Sequence, residues 1–236
     1  GRCLAVDYRL APQNPFPCAL VDLLVAYLSL LYPSEGSLHE AVPAQDIVFA
    51  GESSGGNLIL SLVALFQYLR DTKSGRVRFH GSDVDVPMPA GVATVCPHAD
   101  HTSSFESHIR NKPYDILYLD QLPYLQPTFP SCDLWPTNPP RADIYTEGRF
   151  LAHPLVSVAI APAWFAKNMP PMFLAYGQEK LTDEEYYIAQ RAKEAGTKVD
   201  FRQSDKLPHI FPLLFPRLSQ SQHVLRAWGE FCHNAV

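Results

Sequence analysis

Residues 47–60 read IVFAGESSGGNLIL. An apolar run of strand-like composition, Ile47–Ala50, is followed by a second apolar run, Leu58–Leu69, long enough for a helix, and glycines with two adjacent serines separate them. Residues 51–55 fit G-x-S-x-G, a sharp strand-to-helix turn that lifts a serine clear of a sheet edge and uses glycine where a Cβ would crowd the backbone. The pattern assigns Ser53 as the candidate nucleophile. Ser54 follows it, and its backbone N–H at a helix start is a candidate oxyanion donor. The plain alternative for Ser53 is a helix cap, a position serine favours.

Working outward, the pattern of strands and helices places that turn in a sheet. Residues 3–8 read as a buried strand, the proline-rich Ala11–Pro17 breaks the chain, and Leu20, Leu23, Leu24, Tyr27 and Leu31 recur at helical spacing. Gly91–Cys96, Met172–Tyr176 and Val199–Gln203 read as further strands. Asp183–Ala195 reads as a helix stopped by Gly196, and Leu218–Cys232 as a final helix. Strands alternating with helices predict an α/β fold, a doubly wound and mostly parallel sheet with helices on both faces. Candidate sites then lie at the C-terminal ends of the strands. Two segments break the rhythm: Ser74–Pro89 reads as an exposed excursion, and 97–171 as a long insertion of the kind that forms a lid or pocket wall.

Composition narrows the function. The 236 residues are 47% hydrophobic and 18% charged, enough for a single domain with a sizeable core. A net charge of -5 argues against nucleic acid as a partner. The longest mainly apolar run, Ala19–Tyr32, is too short to span a bilayer and contains Asp22. Five scattered cysteines without a C-x-x-C pair point to free thiols and not to a disulfide framework or a zinc site. The chain opens without Met and without a charged-then-apolar leader, as a strand already under way. It reads as N-terminally incomplete, with a cytoplasmic setting the expectation.

A serine hydroxyl needs a neighbouring imidazole to take its proton, and the imidazole needs a carboxylate to fix its tautomer. Of nine histidines, His209 falls in the loop after the last predicted strand and before the final helix. After Met172–Tyr176 two carboxylates compete. Glu179 lies in the turn directly after the strand, whereas Asp183 reads as a cap or first-turn acid of the next helix, so Glu179 is preferred. His98-Ala-Asp-His101 could suggest a metal, but no further ligand set at a recognisable spacing accompanies it, and it reads as a polar loop. No metal or organic cofactor is expected.

Several linked motifs resemble the hormone-sensitive-lipase-like branch of the α/β-hydrolase fold. Asp7-Tyr-Arg-Leu-Ala-Pro12 with Pro15-Phe-Pro17 is similar to that family's D-Y-R-L-A-P…P-F-P signature. Gly51–Leu58 is similar to its G-D-S-A-G-G-N-L, with Glu52 and Ser54 in place of Asp and Ala. His153-Pro-Leu-Val-Ser157, Pro170-Pro171 and Gly177–Glu184 resemble further family segments, the last putting Glu179 where the family has its catalytic Asp. Pro208-His209 matches the P-H-G-F histidine, with Ile210 where glycine is usual.

The resemblance implies a serine carboxylesterase or lipase acting on small-molecule esters. Ser53 would be nucleophile, His209 base, Glu179 orienting acid and the Ser54 N–H an oxyanion donor. The family's H-G-G-G oxyanion segment precedes the D-Y-R-L-A-P strand by some tens of residues, and Gly1 stands six residues before Asp7. The resemblance therefore implies a chain lacking the first strands, the N-terminal cap and half of the oxyanion hole, where one lost donor costs roughly 10²–10³ in rate. Two other expectations stay open: a receptor-like binding protein on the same scaffold, and an inactive fragment.

Overall fold

The computed structural model describes residues 1–72, 75–117 and 123–236. Residues 73–74, at the start of the expected 74–89 excursion, and 118–122, inside the expected 97–171 insertion, lie outside the described residues. The central sheet has four strands, β1 (Val48–Glu52), β4 (Gly91–Val95), β5 (Met172–Tyr176) and β6 (Val199–Gln203), in the order β1-β4-β5-β6 with every pair parallel. Two further strands, β2 (Arg76–Phe79) and β3 (Ser82–Asp85), form a separate antiparallel hairpin. The expected excursion is therefore a hairpin with largely exposed strands, turned at His80 and Gly81, both at positive φ.

Parallel strands need crossovers, and the chain supplies helices for them. The α-helices are α1 (Cys18–Leu31), α2 (Ser53–Thr72), the single turn α3 (Ser107–Arg110), α4 (Thr182–Glu194), the short α5 (Phe211–Leu214) and α6 (Ser219–Asn234). Side chains alternate across the sheet. Val92, Met172 and Leu174 join the core formed with α1, α2 and α4, while Ala93, Val95, Phe173 and Ala175 face Val224 and Ala227 of α6. Strands β4 and β5 are buried along their whole length, as expected of central strands covered on both faces.

Local sequence explains most boundaries. Gly196 ends α4 at φ +92, with its N–H on the Lys193 carbonyl and the Thr197 N–H on the Ala192 carbonyl. That pair of bonds satisfies two carbonyls the helix end leaves open. α1 turns Leu20, Leu23, Tyr27 and Leu31 inward as the spacing predicts, and Tyr27 packs between Phe49 and Phe66. α2 begins at Ser53, five residues before the apolar run starts, because the helix winds directly out of the elbow. No helix among the described residues is long and apolar enough to cross a membrane.

The expected strand at residues 3–8 is not formed. Residues 1–10 have no ladder hydrogen bonds, and Leu4 is 57% exposed. Apolar composition alone does not make a strand; a neighbouring strand must pair with it, and none of the six described strands does.

Candidate active site

Because the four strands run parallel, the residues following each lie on one edge of the sheet: Ser53 after β1, Cys96 after β4, Gly177 after β5 and Ser204 after β6. The elbow is enforced by close backbone approach. A Cβ on Gly51 would lie 2.6 Å from the Gly55 carbonyl oxygen, and one on Gly56 would lie 2.9 Å from the Pro97 Cβ. Ser53 is driven to φ +49, a left-handed conformation costing a non-glycine residue about 1–3 kcal/mol. Gly55, the second glycine of the motif, meets nothing within 4 Å, so Gly51 and Gly56 are the pair that the crossing of strand, helix and Pro97 requires. The Ser53 carbonyl accepts the His98 N–H at 3.1 Å, which ties the elbow to the end of β4. Ser54 lies in the first turn of α2, where backbone N–H groups have no intrahelical acceptor and the helix end is electropositive.

Ser53, Glu179 and His209 come together across 156 residues of chain. Ser53 Oγ lies 2.8 Å from His209 Nε2, and His209 Nδ1 makes a short hydrogen bond to Glu179 Oε2. With the proton on Nδ1 donated to the carboxylate, Nε2 presents its lone pair to the serine hydroxyl. His209 is 3% exposed and Glu179 is fully buried, whereas Ser53 is half-buried and Ser54 is exposed, so the row of groups opens outward at the serines. Asp183, the competing carboxylate, instead accepts the Ser107 N–H at 3.0 Å and pairs with Arg110. Its place in the first turn of α4 turns it toward α3 and away from His209.

The acid and histidine loops are held by residues that sequence reading did not single out. Glu179 Oε1 accepts the Gly177 N–H at 3.1 Å, and the Glu179 carbonyl accepts from Asn111 Nδ2 at 2.8 Å and Thr182 Oγ1 at 2.7 Å. Asp115 accepts the His209 N–H at 3.0 Å through one carboxylate oxygen and the Lys180 N–H at 2.7 Å through the other. Asn111 and Asp115 come from the long 97–171 segment, where no periodicity marks them. Cys96 Sγ accepts the Ile210 N–H at 3.3 Å, and burial, with Glu179 and Glu185 nearby, pushes its thiol pKa well up, so it stays protonated under the acid. Glu185 is fully buried with no hydrogen-bond partner among the described residues, and burial followed by the charges of Glu179 and Glu184 raises its pKa well above the usual carboxylate range.

His98 and His101 do not converge on Asp100. The two rings lie 4.3 Å apart, and burial holds both imidazoles below their ordinary pKa. Asp100 turns to Thr102 and Ser104, whose N–H and hydroxyl groups it accepts. Two other groups bring metal-type donor atoms within 4.8 Å, Cys96–Glu179–His209 and Asp100–His108–Glu184. In the first, Glu179 is already bonded to His209 and the thiol is protonated; in the second, Asp100 is engaged by its own turn.

Two cavities are formed by described residues, and one of them adjoins the site. The larger, about 430 Å³ between Tyr124 and Arg141, touches none of Ser53, Glu179 and His209. The smaller, about 290 Å³, is walled by Tyr8, Ser54, Asn57, His101 and Tyr145 and so abuts the elbow.

A parallel sheet with an elbow serine, a histidine loop and an acid turn on one edge is the arrangement of α/β-hydrolases. Residues 1–213 match the family described as the alpha/beta hydrolase fold, and the chain belongs to that family. Among curated proteins it is 29% identical over 234 residues to an acetyl-hydrolase of Streptomyces hygroscopicus, covering 99% of this chain and 65% of that one. It is 22% identical over 228 residues to an esterase of Acinetobacter venetianus, covering 96% and 62%. Among solved structures, an esterase from the bacterial hormone-sensitive lipase family superposes with a TM-score of 0.69 at 25% identity, over 97% of this chain and 64% of that one. An esterase/lipase from an uncultured bacterium gives a TM-score of 0.71 at 27% identity over the same shares. The expected likeness to the hormone-sensitive-lipase-like branch is thus borne out, and the chain spans a little under two thirds of the length of these relatives.

Proposed function

We propose that the protein is a carboxylic ester hydrolase that works through an acyl-enzyme. Ser53 Oγ attacks the ester carbonyl while His209 Nε2 takes its proton, and the Glu179 carboxylate holds the imidazole in the Nδ1–H tautomer and offsets the imidazolium charge. The Ser54 N–H donates to the oxyanion of the tetrahedral intermediate. His209 then gives the proton to the leaving alkoxide, releasing the alcohol, and water attacks the acyl-Ser53 by the same relay in reverse to release the acid. Residues 97–171 serve as a pocket wall through His101 and Tyr145, and their Asn111 and Asp115 anchor the acid and histidine loops.

The observation supporting this reading is the continuous hydrogen-bonded row Ser53 Oγ–His209–Glu179 on the strand edge, its serine at positive φ. The names of the similar proteins, acetyl-hydrolase and esterase, agree with the reaction class. A fluorophosphonate probe tests it: the expected result is a single adduct mapped to Ser53 by peptide mass spectrometry, lost in Ser53→Ala and in His209→Ala. Unlabelled wild-type protein that is folded would refute the assignment. A receptor-like binding protein on this scaffold would show any ester hydrolysis to be indifferent to Ser53→Ala.

A further inference from the structure

Tyr8 and Ser54 bring two hydroxyls together at the wall of the 290 Å³ cavity, and the contact between them is long, 3.4 Å from Oη to Oγ. A hydroxyl pair at full strength sits at about 2.7–2.8 Å. At the observed separation neither group satisfies the other well, and both reach the surface, Ser54 exposed and Tyr8 half-buried. An oxygen entering the cavity can bond to both.

Tyr8 is held in place although its segment is not a strand. The neighbouring Arg9 donates its backbone N–H to Asp22 Oδ2 at 2.9 Å, and its guanidinium bonds the same carboxylate, at 2.7 Å for Nη2 to Oδ1. That clamp fastens the segment to α1 and also neutralises the one formally charged residue lining the cavity. The nearby His101 is kept neutral by burial. Leu10, Leu58 and Ile144 supply apolar wall. The cavity thus offers hydroxyls and apolar surface but no uncompensated charge to attract a carboxylate. At roughly 30 Å³ per water-sized group it admits about ten of them, the size of a short ester.

We propose that the Tyr8–Ser54 hydroxyl pair is a specificity element that receives a neutral hydroxyl oxygen of a short ester, close to the scissile carbonyl. The inference rests on the hydrolase reading above and adds the polarity of the substrate to it. Recognition takes place at a partly open site, so the discrimination is modest, unlike the large factors of a fully buried polar pocket.

The test uses the full chain and two near-isosteric ester pairs, propyl acetate against 2-hydroxyethyl acetate for the alcohol side and ethyl 3-methylbutanoate against ethyl 3-hydroxybutanoate for the acyl side. The expected result is a kcat/KM ratio favouring the hydroxylated member of at least one pair by about five- to tenfold. That ratio should fall toward one in Tyr8→Phe and in Ser54→Ala, which keeps the Ser54 backbone N–H. Hydrolysis of all four esters without preference overturns this inference and leaves the hydrolase reading standing, as does a preference that both variants retain. Failure of the wild-type chain to hydrolyse any of the four, together with no fluorophosphonate adduct, overturns both.

Discussion

The two strand-end turns that meet at His209 are held by different means. At 51–56 the geometry is steric: Gly51 and Gly56 let strand, helix and Pro97 approach, and Ser53 sits at positive φ. At 177–183 the geometry is borrowed, since the Glu179 carbonyl is fixed by Asn111, the Lys180 N–H by Asp115 and the Asp183 carboxylate by Ser107, residues 65 to 76 positions away in the chain. Steric exclusion sets Ser53 and long-range hydrogen bonding sets Glu179. The first tolerates almost no substitution at Gly51 and Gly56; the second can lose one bond and keep the others.

The largest effect should come from the acid itself. Glu179→Gln keeps the shape of the turn but presents an amide to His209 Nδ1, and kcat for ester hydrolysis should fall by about 10⁴ with an unchanged circular dichroism spectrum. A decrease below tenfold would mean that another group orients His209. Next comes the elbow, where Gly51→Ala drives a Cβ against backbone and should cost about 3 kcal/mol or more in urea unfolding, while Gly55→Ala, opening into free space, stays within about 1 kcal/mol. Equal costs at the two glycines would show that crowding is not what shapes the turn.

The borrowed side is tested by Asp115→Ala, which removes the carboxylate that accepts the His209 and Lys180 N–H groups. It should destabilise by about 1–3 kcal/mol and lower kcat more than it changes KM, because the imidazole loosens while the pocket stays. A KM effect alone would separate Asp115 from the relay.

The smallest effect concerns Glu185. Its folded-state pKa is raised, so the folded protein holds a proton that the unfolded chain gives up above about pH 4.3, and stability is lost as pH rises from there through the folded pKa. Glu185→Gln should remove that part of the slope, raising Tm at pH 8 relative to wild type while leaving Tm at pH 4 nearly level. A larger gain at pH 4 than at pH 8 would contradict the assignment.

This contrast also governs what could be read from the sequence. The elbow, β5 and β6 were legible because adjacent residues determine them: Met172–Tyr176 and Val199–Gln203 are strands with the expected bounds. His209 is legible from its place after the last predicted strand, and Glu179 from its turn. Asn111 and Asp115 were not, because an isolated asparagine or aspartate in an aperiodic segment looks the same whether it faces solvent or spans to a distant loop. Residues 3–8 failed in the opposite direction, since their composition suits a strand but pairing depends on what lies alongside. The 76–85 hairpin was missed because its turn, His80-Gly81, lacks the usual Asn-Gly signal and its strands are too polar to announce themselves.

Asp115 has a mechanical consequence. One carboxylate grips the His209 loop with one oxygen and the residue after Glu179 with the other, so the two loops are riveted at a common point. If the stretch around Asp115 shifts, the His209 and Glu179 side chains travel together and their spacing survives, while the Ser53 turn, held by its glycines and by Pro97 and His98, stays put. The compliant joint of the machine is then the 2.8 Å gap between Ser53 and His209, where a displacement of the distant segment would be felt as a change in stroke.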